Sequence, residues 1–334
     1  MTASAPAKSA APFSGPIAGP SAADLATAVA LEARLEAAGI ALTMGGEPTL
    51  VPIDPQGAEW SVAADGPTKL NYARALAAEL QRIAWPGSTL LYCPGKRYDG
   101  EVNPRWALRL ITGPQAQPLV QWPQDAGCGA RAAAARSPRG PEALGLLEAI
   151  GSGLGLAVEP LPLRDPLQPS RQVWALPLSH DDNQQRWQTL TWPLEEELRE
   201  LIPAHGPAGL RLPLQHFPEQ ALRQVLTLES DEDGWGLFLP PLSREPLEQV
   251  LSLLAAASAA WCKPELSGVL PYDTEDHWQV LGLTADPGVL EINLPVCSSW
   301  QPYADWIERL EVAGAAVGLR SWKQVGDRIE GTGG

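Results

Sequence analysis

Three stretches carry residue types that could do chemistry. The first is Leu42-Thr43-Met44-Gly45-Gly46-Glu47-Pro48-Thr49-Leu50-Val51, where an apolar run enters a glycine pair and a single carboxylate follows. Glycine lets a backbone approach a ligand closely, and proline biases the residue before it toward an extended conformation. Glu47 is therefore expected at the end of a strand, facing a metal or a substrate amine. A strand that ends in a turn with an exposed Glu satisfies the same pattern. The second stretch, Val289-Leu290-Glu291-Ile292-Asn293-Leu294, alternates. Leu290, Ile292 and Leu294 fall on one face, Glu291 and Asn293 on the other. An acid beside an amide suits metal and substrate; a strand with one wet face has the same signature. The third is the loop Pro94-Gly95-Lys96-Arg97-Tyr98-Asp99-Gly100-Glu101-Val102-Asn103-Pro104-Arg105-Trp106. Its lysine and arginines can hold phosphate oxygens or close onto Asp99 and Glu101 as local ion pairs. It is not a Walker A loop, because the spaced glycine and the Ser or Thr after the lysine are missing.

Composition removes several classes. The formal net charge of −15 argues against a general nucleic-acid binder. Hydrophobic residues make up 45% of the 334, enough to bury a sizeable core in one large or two medium domains. Cys93, Cys128, Cys262 and Cys297 form no C-x-x-C pair, which disfavours a structural zinc site and fits reduced thiols in a cytoplasmic protein. His180, His205, His216 and His277 are equally scattered, so a cysteine–histidine nucleophile has no local signature. No run of about 18 apolar residues predicts a membrane span, and the N-terminus lacks the basic start and apolar core of a secretion signal. Thirteen Trp against three Phe suit an interaction surface, where Trp is enriched.

The elements that must position these residues follow from periodicity. Residues 1–21, rich in Ala, Pro, Ser and Gly, read as a disordered tail. A helix follows with Leu25, Ala28, Leu31, Leu35 and Ala38 as its buried stripe and Gly39 as its end. The strand into Glu47 comes next. A second helix over 67–83 starts at Pro67, with strands at 88–92 and 107–111 beyond it. Residues 123–140 read as an exposed connection, 141–153 as a helix, and the proline-rich 157–170 as irregular. Short strands are expected at 172–178, 188–192 and 209–214, with a helix or turn at 194–201. A hairpin is expected around Asp231-Glu232-Asp233-Gly234, too short for an EF-hand loop. The amphipathic pattern over 245–261 predicts a helix. Strands at 278–284 and 289–294 flank the turn Asp286-Pro287-Gly288, and a last helix covers 303–317.

Taken in order, these pieces resemble the amidoligase family often fused behind a transglutaminase-like domain. The matching stretches are LTMGGEPTLVPID, the GPTK at 66–69, CPGKRYDGEVNPRWAL, GLRLPL at 209–214, LFLPPL at 237–242, DPGVLEINL and the closing GTGG. The resemblance implies an α+β fold, a curved and mainly antiparallel sheet with outer helices, like half of a glutamine-synthetase catalytic domain. It implies ATP-dependent activation of a carboxylate to an acyl phosphate and attack by an amine of a peptide or amino acid. Mg2+ and ATP are the expected cofactors. Glu47 and Glu291 are the expected metal ligands, Asn293 orients substrate or metal-bound water, Lys96 and Arg105 meet phosphate or the substrate carboxylate, and Glu101 is a further cofactor-binding candidate of the same loop. The sequence departs from the family pattern at Pro295 and Ile329, where a His is usual, and at Arg97, where an aromatic is usual. The family-like domain is expected over 22–334, incomplete at its C-terminus, with a loop-rich insertion around 112–215. A C-terminal half or a transglutaminase-like protein is the expected partner, with no nucleic acid and no membrane. The alternative is a non-catalytic peptide- or protein-binding scaffold on the same fold.

Overall fold

The structure, a computed structural model, describes residues 22–95, 105–123, 137–192, 194–217, 219, 221–271, 277–325 and 328–332. The chain divides into two compact units, Met1–Gly45 with Val296–Glu308 and Gly46–Pro295 with Arg309–Gly334. In the smaller unit, α1 (Ala22–Ala37) ends at Gly39, whose φ of +72° is the left-handed conformation a helix stop uses. Its stripe is less buried than the spacing predicts. Leu25, Ala28 and Leu35 are half-buried and Leu31 is 52% exposed. Met44 and Cys297 exchange backbone hydrogen bonds of 2.7 Å each way as an isolated bridge.

The larger unit is built on one sheet of 11 strands. In chain order its strands are β1 (Thr49–Pro52), β2 (Thr89–Pro94), β3 (Trp106–Thr112), β4 (Leu161–Leu163) and β5 (Gln172–Pro177). The hairpin of β6 (Ser179–Asp181) and β7 (Arg186–Gln188) stands apart from the sheet. The sheet continues with β8 (Val225–Ser230), β9 (Trp235–Phe238), β10 (Glu265–Ser267), β11 (Gln279–Asp286), β12 (Val289–Asn293) and β13 (Leu319–Arg320). A second small hairpin joins β14 (Trp322–Val325) to β15 (Arg328–Gly331). The spatial order is β13-β1-β12-β11-β3-β2-β10-β9-β8-β5-β4, antiparallel at every junction except the two that β10 makes. The helices beyond α1 are α2 (Lys69–Ile83), α3 (Pro141–Gly153), α4 (Arg244–Ala257) and α5 (Trp300–Ala316). The fold is α+β, as the sequence predicts. No helix among the described residues is long and apolar enough to cross a membrane.

Side-chain alternation decides which face each helix covers. Leu91, Leu176, Leu226, Leu228, Leu237 and Leu266 fall on one face, packed with Leu146, Leu147 and Ile150 of α3 and Leu247, Leu251 and Leu254 of α4. Helix α2 covers the other face over β3 and β11, where Leu108, Leu110, Leu281 and Leu283 are buried. A second core on that face joins Val173, Ala175 and Val225 to Trp192, Leu194, Leu201, Leu212 and Phe217. The α3–α4 cluster reaches across this face to Ile111 of β3 and Val280 of β11.

Several local expectations change. The run Leu42–Met44 is not a strand; β1 begins at Thr49, so Glu47 precedes a strand instead of ending one. Residues 161–163 form β4 despite Pro162, because an edge strand tolerates a missing N–H. Residues 209–214 are not a strand but two 3-10 turns, Ala208–Leu210 and Leu214–His216. The strand expected at 188–192 is the short β7, ending at Gln188.

Candidate functional site

The hairpin β11–β12 is built by its turn. Pro287 and Gly288 connect Asp286 to Val289, and Gly288 takes φ +75°, where a side chain would strain the backbone. A Cβ there would also lie 2.9 Å from the Ser61 carbonyl. The turn sets the register, and the register sets the site. Gly282 stands opposite Asn293 and Thr284 opposite Glu291. On the far side, Thr49 stands opposite Glu291. The ladder runs beyond β1: the Ile292 N–H donates to the Pro48 carbonyl at 2.9 Å and the Leu294 N–H to the Gly46 carbonyl at 3.1 Å. Glu47 therefore stands opposite Asn293, and Glu47, Thr49, Glu291 and Asn293 share one face. Pro48, lacking an N–H, needs only its carbonyl in this pairing. Two carboxylates more than 200 residues apart in sequence thus stand on one face of adjacent backbone segments.

The polar contacts are specific. Asn293 donates from Nδ2 to Glu291 Oε1 at 2.8 Å, and Thr284 Oγ1 donates to Asn293 Oδ1 at 3.4 Å. Arg109, opposite Gly282 on β3, lays its guanidinium over that glycine. A Cβ on Gly282 would meet Arg109 Nη1 at 2.7 Å and Asn293 Oδ1 at 3.2 Å. Gly282 is thus the floor that lets a cation lie flat beside the acid–amide pair. Arg109 also reaches Cys93: burial pushes the thiol pKa up, and the guanidinium works against that. Arg105, extending the same row, is paired with Asp286 at 2.6 Å. The sequence reading passed over Arg109. Its signal was a lone charge in the apolar run Ala107-Leu108-Arg109-Leu110-Ile111, at the parity that faces away from Leu108 and Leu110.

Beneath this face, residues 58–69 brace the hairpin. Glu59 is buried at 2% exposure and its Oε1 accepts from the Thr68 N–H at 3.1 Å and the Thr68 hydroxyl at 2.7 Å. Burial pushes its pKa up, but the Thr68 bonds and the Lys69 charge outweigh this and hold it below the ordinary value. Gly57 and Gly66 make room for the carboxylate, since a Cβ on them would sit 2.8 Å and 2.2 Å from its Oε2. Lys69, fully buried, donates to the carbonyls of Ala64 and Asp286, both at 2.7 Å, and lies 5.0 Å from the Trp60 ring centroid. The GPTK stretch is accounted for in this way: glycine for the carboxylate, threonine to bind it, and lysine to tie the loop to the β11–β12 turn.

Of the residues expected from the sequence, Glu47, Glu291 and Asn293 share one face, and Arg105 is on that sheet, tied to Asp286. Lys96 and Glu101 lie outside the described residues. No group of three or more His, Cys, Asp or Glu side chains among the described residues is arranged to hold a metal ion.

The family model described as "Putative amidoligase enzyme (DUF2126)" matches residues 21–161 and 217–334. The chain belongs to this family. No curated protein and no solved structure matches it. The match passes over residues 162–216, which contain the GLRLPL stretch that the sequence reading had counted toward the resemblance. It spans the motifs carrying Glu47, Lys69, Arg105, Glu291 and Asn293.

Proposed function

We propose that the chain is an ATP- and Mg2+-dependent carboxylate–amine ligase, forming an amide bond on a peptide or amino acid. The observation that carries this reading is the shared face of Glu47 and Glu291, beside Asn293 and the Arg109 guanidinium, in a chain of the amidoligase family. The donor set fits the ion. Mg2+ is commonly held by only one or two carboxylates, with water and substrate phosphates completing its shell. A cluster of three protein acids is therefore not required. When bound, the ion offsets the charge of the triphosphate and polarises its oxygens. The protein's part is to place charge. Glu47 and Glu291 would hold the ion, and Asn293, anchored on Glu291, would orient the substrate. Arg105, Arg109 and Lys96 would meet phosphate or the substrate carboxylate, with Glu101 a further candidate of the same stretch of sequence.

Calorimetric titration with MgATP tests this. The wild-type chain is expected to bind only when magnesium is present. Glu291→Gln and Glu47→Gln are each expected to weaken binding by about tenfold or more, a loss of roughly 1.4 kcal/mol. Gly282→Ala separates placement from folding. Its methyl displaces the flexible end of Arg109, so MgATP affinity falls while the unfolding free energy changes by less than about 1 kcal/mol. Magnesium-dependent binding that survives both carboxylate substitutions would remove the proposed ligands. No nucleotide binding by the wild type would favour a peptide- or protein-binding scaffold.

A further inference from the structure

The opposite face of the same sheet carries a second site-like feature, a trough of about 650 Å³, within the roughly 300–1,000 Å³ typical of small-ligand sites. Its floor is one row across three strands: Glu229 on β8 opposite Gly236 on β9, and Gly236 opposite Glu265 on β10. At about 4.8 Å per strand, the Cα atoms of Glu229 and Glu265 stand roughly 10 Å apart. Gly236 between them has no side chain and opens the centre of the floor. Helix α2 forms one wall, through Leu70 and Arg74. The other wall comes from residues 168–171 and 206–207, in the segment that the family match passes over.

The two ends of the trough differ in charge. At the β8 end, Arg171 is shared by Glu229 at 3.1 Å and Asp231 at 2.9 Å, and Asp233 follows on the same hairpin tip. One cation faces three carboxylates there. At the β10 end, Arg74 pairs with Glu265 at 3.1 Å, and Lys263, whose amine lies 5.3 Å from the Trp122 ring centroid, lines the trough as a second cation. Two cations face one carboxylate. Beyond the β10 end, on β2, Tyr92 also lines the trough. A ligand that fits has a positive group at the β8 end and a negative group at the β10 end, across a floor about 10 Å wide. An extended chain advances about 3.3–3.6 Å per residue, so three residues with free termini span this distance.

We propose that this trough binds a short peptide by its two charged ends, the ammonium at Asp231 and Asp233 and the carboxylate at Arg74 and Lys263. The site is separate from the Glu47–Glu291 face and needs neither nucleotide nor metal. The test is calorimetry of the full chain with triglycine, in metal-free buffer, beside N-acetyl-triglycine and triglycine amide. Triglycine is expected to bind one to one with a Kd of about 1 mM or tighter, and each blocked terminus is expected to cost about tenfold. Arg74→Gln and Asp233→Asn change side chains at the rim of the trough. The first is expected to abolish the preference for a free carboxylate and the second the preference for a free ammonium. No binding by triglycine, or equal binding by all three peptides, overturns the proposal, as does selectivity that survives both substitutions. Because the titration contains no nucleotide, its failure leaves the ligase reading standing, and the reverse is also true.

Discussion

Arg211→Met is expected to destabilise the protein by about 3–5 kcal/mol, the usual consequence of leaving one member of a buried ion pair alone. Arg211 and Asp165 are 4% and 3% exposed. They meet through two parallel bonds, Nη1 to Oδ2 at 2.8 Å and Nη2 to Oδ1 at 2.7 Å. Arg211 Nε is used as well, donating to the Ile202 carbonyl at 3.0 Å. Removing the guanidinium strands a carboxylate in the second core and frees that carbonyl. Both residues belong to the 162–216 segment outside the family match, so the loss should concentrate there. Hydrogen exchange is expected to show amides around 161–217 opening first, with β11 and β12 still protected. The double substitution Asp165→Leu with Arg211→Met should recover most of the loss, because an apolar pair pays no desolvation. Acid should act on the same contact. The Arg211 bonds hold the Asp165 carboxyl below its ordinary value of 3.8. The stability it contributes is therefore complete above that value and is lost as pH falls through the lowered folded pKa. Denaturant unfolding from pH 3 to pH 7 is the measurement, and a single loss of stability equal in both halves of the chain would contradict the assignment.

What the sequence made legible was governed by short-range rules. Helix α3 matches its predicted span of 141–153 because Pro141 opens it and Leu147 and Ile150 recur at helical spacing. The alternation of Leu290, Ile292 and Leu294 against Glu291 and Asn293 shows directly in the structure, since a strand's two faces depend only on parity. Partners set by long-range register could not be read in this way. That Glu47 lies opposite Asn293 depends on two backbone bonds across the β1–β12 edge, and no local pattern records them. Arg109 becomes a site residue only because Gly282 is bare, a relation between strands that periodicity does not contain. The 157–216 segment misled for a related reason. Prolines there suggested irregular chain, and Gly209–Leu214 suggested a strand. Instead, the prolines permit an edge strand, and Leu212 fills a core beside Trp192 that tertiary packing alone defines.

The second large effect is expected at alkaline pH and belongs to Lys69. Burial is the main influence on this amine and lowers its pKa from 10.5 to about 8, against the pull of Asp65, Glu59 and Asp286 and with a smaller push from Arg105. Between those two values the unfolded chain holds a proton that the folded chain has released, so stability rises with pH across this window. A difference of this size corresponds to about 3 kcal/mol. The fold keeps its contacts through the change, because a neutral amine still has two N–H groups for the Ala64 and Asp286 carbonyls. Other groups oppose the trend: burial raises the pKa of Cys93, Cys297 and Tyr92, and each lowers stability as its unfolded counterpart ionises. The informative quantity is therefore the difference between wild type and Lys69→Met in urea unfolding at pH 7.5 and pH 10.5. Wild type is expected to gain up to about 3 kcal/mol relative to the variant across that interval. Parallel pH profiles for the two proteins would mean that Lys69 keeps its ordinary affinity for the proton, and hence that its amine is open to water in solution. Since the Asp286 carbonyl held by Lys69 belongs to the residue whose carboxylate grips Arg105, an open amine would also free the turn that sets the register of Glu291 and Asn293.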